Sequence, residues 1–332
     1  MPRSELPASL GERPFTVAEA LQLGLTPAML RRGSLSAPFH GVRAASEITD
    51  LRLRCAAAAT ILPPSASFSH GTAAELLGLP TPSPARGPRS QQPIEVTVPI
   101  EVTVPREVPH PRGRGLRSHR SDSPVDRLSV GGLTVTSPLR TWCDLADQWS
   151  LEELVMLGDA VVARAAPRPP TGTRLGSDPA WHRDRARQAA AEVAAVAALR
   201  TAAREWSPRR GCRRLRAAAG LVRAGVDSPP ETATRLLVVR AGLPEPVVNA
   251  DVHDEDGVWL HRPDLSWPEH RLGLDYDGGH HLAGDGRQTR RDAARREDLR
   301  SIGWRLQVIT WYDLRHRPQV ILRRIAQALD LA

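Results

Sequence analysis

The sequence predicts a multidomain α+β protein, with separate helical and mixed α/β units along a chain of 332 residues. Three observations lead to this prediction. Residues 15–44 contain two short helical patterns, separated by a glycine and followed by a strand-like run. Residues 165–180 are rich in Pro, Gly, Ser and Thr, as linkers are. The last third reads in order as helix, three strands, helix, strand and helix, which is a compact α/β plan.

Composition narrows the possible partners and compartments. Hydrophobic residues make up 41% of the chain, so sizeable cores are expected and global disorder is not. The formal net charge of +8 favours a polyanionic partner. All 45 basic side chains are arginine, so no lysine is present to act in catalysis. The cysteines Cys55, Cys143 and Cys212 fit neither a zinc site nor a disulfide framework. With no signal-peptide core and no run of about 18 apolar residues, we expect a cytoplasmic protein of bacterial type that does not contact a membrane.

Residues 1–48 predict a winged helix-turn-helix. A helical pattern ends near Gly24, and Thr26 is then a good N-cap for a second helix that ends at Gly33. The following "SLSAPFHGVRA" predicts a small β-wing. This plan is typical of DNA-binding modules, so Arg31 and Arg32 are candidate DNA contacts. A small helical hairpin of another kind would give the same bare pattern and remains the alternative.

Residues 49–164 predict a small α/β region. Helical patterns include "SHGTAAELLGLP", "LEELVMLGDAVVAR" and "TSPLRTWCDLADQ", in which Ser137 is the expected N-cap. "IEVTVPIEVTVP" predicts a strand and repeats one hexapeptide twice, which is too few copies for a solenoid. We assign His70 a structural role, because no acidic partner lies near it in the sequence. Residues 165–227 predict a linker and a helical connector, whose arginines either form a solvated face or contact phosphates.

The chemistry is concentrated in residues 228–332. In "LGLDYDG", strand alternation puts Asp275 and Asp277 on one face and Tyr276 on the other, and pairing of strands would bring Asp264 close to Asp275. Two carboxylates about 4 Å apart repel by roughly 4 kcal/mol at an effective dielectric near 20. An arginine, a shared proton or a divalent cation would relieve this repulsion. Oxygen ligands suit Mg²⁺ (or Mn²⁺), so the pattern indicates a metal-dependent phosphodiesterase site.

Two further candidates have structural alternatives. Ser228-Pro-Pro-Glu231 fits a capping box, in which Glu231 stabilises a helix start, but Glu231 could also join the acidic site, and the two roles can coexist. His280 and His281 form either a polar loop or, in one of them, a general acid or base, because the imidazole pKa is near neutrality.

Residues 228–330 resemble the Vsr-like branch of the PD-(D/E)XK nuclease superfamily. The resemblance is carried by "SPPETATRLL", "AGLPEP", "RPDLSWPEHRLGLDYDGGHH", "RRDAARREDL" and "GWRLQVITW". It implies a restriction-endonuclease-like fold in which Glu231, Asp264 and Asp275 hold the metal and His281 assists proton transfer. Asp277, also a candidate catalytic residue, stands where other branches carry lysine. The family usually has Glu where this chain has the shorter Asp275.

The same resemblance extends to the helix after these acidic residues. Asp292 and Arg296 match its polar positions. We expect Arg291, Arg295 and Arg296 to contact DNA phosphates, because guanidinium groups match phosphate geometry.

Residues 15–164 resemble the N-terminal region of AbiEi-type antitoxins and regulators. The matching segments are "GLTPAMLRRGSLSAPFHGVRA", "FSHGTAAELLGLP" and "GLTVTSPLRTWCDLA". This resemblance implies a winged helix-turn-helix followed by a small α/β region, a DNA-binding regulatory role and a possible cognate toxin partner. Together, the two resemblances predict a metal-dependent DNA endonuclease guided by an N-terminal DNA-binding module. The alternative is a non-catalytic, antitoxin-like regulator with an inactive nuclease fold.

Overall fold

The computed structural model describes residues 6–31, 34–82, 98–165, 179–277 and 296–331. The chain divides into two compact units, Met1–Leu145 and Ala146–Ala332. Both combine helices with sheets, so the protein has the mixed α/β character that the sequence predicts. No helix among the described residues is long and apolar enough to cross a membrane.

The first unit begins with short helices on a small core. Its elements are α1 (Ala8–Gly11), β1 (Phe15–Thr16), α2 (Val17–Gln22), α3 (Pro27–Leu30) and β2 (Val42–Arg43), with β1 and β2 antiparallel. As predicted, the Thr26 hydroxyl caps α3 by accepting from Met29 N at 3.4 Å. The helix ends at Leu30, however, earlier than the predicted Gly33. Arg43 Nε donates to the Leu30 carbonyl at 3.0 Å and so satisfies an acceptor at the helix end.

The rest of the first unit is a mixed sheet with helices. Its elements are α4 (Leu51–Ala59), β3 (Ser67–Phe68), α5 (His70–Leu76), β4 (Ile100–Pro105), β5 (Leu116–Ser121), β6 (Arg127–Val130), β7 (Leu133–Thr136) and α6 (Pro138–Asp144). The strand order is β5-β4-β3-β7-β6, with parallel pairs β4–β5 and β3–β7. The second copy of the repeated hexapeptide is β4, and the predicted Ser137 cap begins α6. Most of the first copy lies outside the described residues.

The second unit begins with α7 (Leu151–Ala163), α8 (Pro179–Glu205) and α9 (Cys212–Leu221). The sequence grouped α7 with residues 49–164, whereas in the structure this helix belongs to the second unit. A buried ion pair accounts for its position, because Asp159 of α7 accepts from Arg235 Nη2 at 3.2 Å. Residues 166–178, in the predicted linker, lie outside the described part of the chain.

The remaining elements of the second unit are α10 (Pro229–Arg240), β8 (Val247–Val248), β9 (Val252–His253), β10 (Trp259–His261), β11 (Leu265–Trp267), β12 (Leu272–Asp277), α11 (296–301), β13 (Arg305–Thr310), α12 (Trp311–His316) and α13 (Pro318–Ala328). The main sheet has the order β13-β12-β11-β8, in which β12 and β13 are parallel and the other pairs antiparallel. The first two strands predicted in this part of the chain, "EPVVNADVHD" and "VWLHRPDLSW", are each split in two. Asn249, with a φ of 49°, interrupts the first, and Pro263, which has no N–H to donate, lies at the break in the second.

Candidate acidic site

The register of β11 and β12 brings two predicted site residues together. Leu265 pairs with Leu274 and Trp267 with Leu272, so Asp264 lies opposite Asp275 at the end of the ladder. The leucines of β12 face the core, which leaves Asp275 on the other face of the strand.

Reciprocal hydrogen bonds fix the two aspartates. Asp264 Oδ2 accepts from Tyr276 N at 2.7 Å, and Asp275 Oδ1 lies 3.4 Å from Asp264 N, which donates to it. Tyr276 packs against the core on the opposite face, as the alternation predicts. Each carboxylate is therefore held against the neighbouring backbone, with Asp275 inside β12 and Asp264 immediately before β11.

His261 is a member of this site that the sequence reasoning missed. Its Nε2 lies 2.8 Å from Asp275 Oδ2, and the histidine side chain is almost fully buried. His261 ends β10, three residues before Asp264 along the chain. The available signal was its place just before the Pro-Asp motif, three residues from a predicted site residue.

Glu231 lies at the start of α10 and is buried. Ser228 is the N-cap, as predicted, and its hydroxyl donates to Glu231 Oε1 at 2.7 Å. Glu231 Oε2 accepts from Asp227 N at 2.8 Å and from Asn249 Nδ2 at 2.9 Å. Burial raises the pKa of Glu231 in spite of these donors. The carboxylate thus stabilises the helix start, and both of its oxygens already accept hydrogen bonds.

The acidic neighbourhood shifts the ionisation of Asp264. Burial is the main cause that raises its pKa to about 7, and the nearby carboxylates of Glu231, Asp275 and Asp227 add to the rise. The hydrogen bond from Tyr276 N acts in the opposite direction. Near neutral pH, Asp264 is therefore poised between its protonated and ionised forms.

The other predicted site residues are less closely associated with Asp264 and Asp275, or lie outside the described residues. Asp277 ends β12, where it pairs in register with Thr310 of β13. Arg31 and Arg296 are exposed. His281, Arg32, Arg291, Asp292 and Arg295 lie outside the described residues. Within the described part of the chain, no group of three or more His, Cys, Asp or Glu side chains is arranged to hold a metal ion.

A second polar cluster lies in the first unit, around His70. Its ring stacks on that of His119 with centroids 3.6 Å apart, and His119 Nε2 lies 3.4 Å from Glu101 Oε1. Glu101 Oε2 also accepts from Gly71 N at 2.9 Å. The sequence reasoning found no acid near His70, because Glu101 comes from β4 and reaches it only through the pairing of β3 with β4. Burial lowers the pKa of His70 to about 3, with a further contribution from His119.

Comparison with known proteins finds similar sequences but indicates no activity for this chain. No protein-family model matches the chain. Two curated proteins of Mycobacterium tuberculosis, the uncharacterized protein Rv2248 of strain H37Rv and the uncharacterized protein MT2308 of strain CDC 1551, are each 34% identical to it over 107 residues. The match covers 32% of this chain and 38% of the length of each relative. The activity, substrates and partners of the whole protein are therefore matters for proposal.

Proposed function

We propose that the protein is a metal-dependent DNA endonuclease whose second unit carries a PD-(D/E)XK-type site. The observation that carries this proposal is that Asp264, immediately before β11, and Asp275 of β12 adjoin through reciprocal hydrogen bonds, beside His261. Two adjoining carboxylates fit Mg²⁺ or Mn²⁺, because Mg²⁺ is commonly bound through one or two carboxylates and keeps several waters. Glu231 fits a direct ligand less well, because its oxygens are held by hydrogen bonds.

Each side chain of the acidic site has its own proposed role. Asp264 and Asp275 would hold the cation, which when bound activates water and stabilises the leaving oxygen of a phosphodiester. His261 orients Asp275 through the 2.8 Å contact with its Oδ2. Asn249 holds Glu231 at 2.9 Å, and Glu231 in turn stabilises the start of α10 behind the site.

DNA is the proposed partner on grounds of charge and of the N-terminal elements. The net charge is +8, and phosphate contacts by arginine give salt-dependent affinity for DNA. α2 and α3, with the β1–β2 pair, support the proposal of a winged helix-turn-helix that guides binding. Replacing Arg31 and Arg32 with alanine should weaken sequence-selective binding without changing the melting temperature. A cognate toxin remains a possible partner under this proposal.

The test is nicking of a supercoiled plasmid by the full chain with Mn²⁺, Mg²⁺ or EDTA. The wild type should nick only with a divalent cation, and Asp264→Asn should abolish nicking. Asp256→Asn is the matched control, because it removes the same charge from an exposed turn of the same unit. Equal activity of Asp264→Asn and the wild type would refute the assignment of the site.

A thermal melt gives a second readout that does not need catalysis. A cation that binds only the folded state stabilises it by roughly 2.7 kcal/mol when the cation concentration is 100 times its Kd. Mn²⁺ should therefore raise the melting temperature of the wild type and of Asp256→Asn, but much less that of Asp264→Asn. Equal shifts in all three proteins would mean that the cation binds elsewhere.

A non-catalytic DNA-binding regulator is the second candidate. It is favoured by the engagement of the acidic side chains, since Asp275 contacts His261 and Glu231 accepts hydrogen bonds at both oxygens. DNA binding without nicking, and without a cation-dependent melting shift, would select this function.

A further inference from the structure

Two adjacent aromatic side chains are exposed on the first turn of α12. Trp311 is 40% exposed and Tyr312 is 53% exposed. Trp259 is also exposed, but its Nε1 donates to Asp251 Oδ1 at 3.0 Å, whereas Phe15, Phe39, Phe68, Trp142 and Trp267 are buried in the cores. A pair of exposed rings therefore needs another explanation than packing, and binding of a ligand is the common one.

The two rings are held in place rather than displayed on a loop. Thr310 and Asp313 form a capping box, in which Asp313 Oδ2 accepts from Thr310 Oγ1 at 2.7 Å and Asp313 N donates to Thr310 Oγ1 at 3.2 Å. α12 starts directly after β13, and Leu314 packs against the core of the unit. The start of the helix, and with it the aromatic pair, is thus anchored to the sheet.

The aromatic pair lies at the same sheet edge as the acidic site. β12 and β13 are parallel, with Asp275 opposite Val308 and Asp277 opposite Thr310. Trp311 therefore follows the residue opposite Asp275 by three positions, or about 10 Å along the strand direction. The carboxyl edge of parallel strands is where open α/β sheets bind ligands. A strand of DNA at Asp275 would reach the aromatic pair within a few nucleotides.

The surroundings of the pair are basic. The ring of His316 lies 4.7 Å from that of Tyr312, and the Arg317 guanidinium lies 5.4 Å from the centroid of Tyr312. Residues 311–328 contain four arginines against a single aspartate. Aromatic rings among arginines suit a ligand with flat faces and negative charge, and an unpaired nucleotide has both.

We propose that Trp311, Tyr312, His316 and Arg317 form a surface, the α12 surface, that stacks against unpaired bases of single-stranded DNA next to the acidic site. This inference rests on the proposed function, because it names the form of DNA that the same sheet edge would hold. The rings would stack on bases, which requires no particular sequence, and the arginine would pair with the backbone phosphate.

Fluorescence anisotropy with the full chain in EDTA tests this proposal apart from catalysis. The probes are a labelled 16-nucleotide oligothymidylate and a 16-base-pair duplex, at about 50 mM salt. The double variant Trp311→Leu/Tyr312→Leu should bind the single strand roughly 10- to 100-fold more weakly, since each stacked base contributes on the order of tenfold in affinity. Its affinity for the duplex should change much less. Trp311→Phe/Tyr312→Phe should retain most of the affinity, because the rings remain.

Leucine and phenylalanine separate a stacking surface from a merely apolar one. Both keep apolar area, so a protein-docking face or a self-association face would tolerate leucine. Val320→Ala on α13 is a control for loss of exposed apolar area nearby, and it should leave binding unchanged. Equal affinity of the leucine and phenylalanine variants for the single strand would overturn the proposal.

The outcomes separate this inference from the proposed function. Aromatic-dependent binding of the single strand without cation-dependent nicking would support the α12 surface and refute the nuclease. If the protein nicks DNA with a divalent cation but the leucine substitutions leave its single-strand affinity unchanged, the nuclease is supported and the α12 surface is refuted.

Discussion

His261 Nε2 lies 2.8 Å from Asp275 Oδ2, and the two residues come from different strands, β10 and β12. The contact joins a nearly buried imidazole to one of the two carboxylates that adjoin at the end of the sheet. It fixes the direction in which Asp275 presents its oxygens. In the proposed nuclease, His261 is therefore a positioning residue that acts through Asp275.

Substitution of His261 tests this role. His261→Ala should lower the nicking rate by at least about tenfold, because the Asp275 carboxylate loses the side chain that orients it. Loss of a side chain that orients a metal ligand typically lowers metal affinity or activity 10- to 100-fold. His261→Gln should recover much of the rate, since its amide can donate from a similar position. Single-turnover nicking across pH 6 to 9 is the measurement. If glutamine restores nothing and the acidic limb of the pH profile disappears, His261 transfers a proton instead.

Asp264 should make the cation-free protein less stable as the pH rises. Its folded pKa of about 7 lies above the unfolded value near 3.9, so its contribution to stability is complete below pH 4 and is lost as the pH rises through 7. Asp264→Asn keeps an acceptor for Tyr276 N and removes the buried charge. We expect the variant to be more stable than the wild type at pH 8, by on the order of 2 kcal/mol, and similar to it at pH 5. Urea unfolding in EDTA at both pH values checks this. A wild type that gains stability between pH 5 and 8 relative to Asp264→Asn would contradict the assigned ionisation.

His70 should make the protein sensitive to acid. Its folded pKa of about 3 lies below the unfolded value near 6.5, so stability is complete above pH 6.5 and falls as the pH drops toward 3. His70→Asn removes the titrating ring at a position with a φ of 53°, which asparagine tolerates. The wild type should lose up to roughly 3 kcal/mol more than the variant between pH 6.5 and 4. Chemical unfolding followed by circular dichroism measures this. If the stabilities of the two proteins change equally with pH, protonation of His70 does not destabilise the folded protein.

The ion pair between Asp159 and Arg235 should be necessary for the second unit. Arg235 is completely buried, and Asp159 also accepts from Thr232 Oγ1 at 2.8 Å and from Arg223 N at 2.8 Å. Arg235→Met should destabilise the protein by roughly 3–5 kcal/mol, because it leaves a buried carboxylate without its cation. Arg300→Met breaks a pair with Glu297 whose side chains are 73% and 71% exposed, and it should cost less than about 1 kcal/mol. Similar losses in the two variants would mean that the buried pair contributes little.

Local sequence signals were sufficient where the interactions that form an element lie within a few residues. The N-caps Thr26, Ser137 and Ser228 each act within three positions along the chain, and all three begin helices in the structure. The strand alternation around Tyr276 was likewise readable, because each side chain's face depends only on its neighbours.

The sequence by itself thus determined the mixed α/β character, the starts of the helices capped by Thr26, Ser137 and Ser228, and the proximity of Asp264 and Asp275, which follows from one strand pairing. Only the tertiary structure decided which residues from distant elements meet. It placed Glu101 beside His70, His261 against Asp275, and α7 in the second unit through Asp159. The physical reason is that buried charged and polar groups must find partners wherever the fold brings them, and those partners lie up to 76 positions away in the chain.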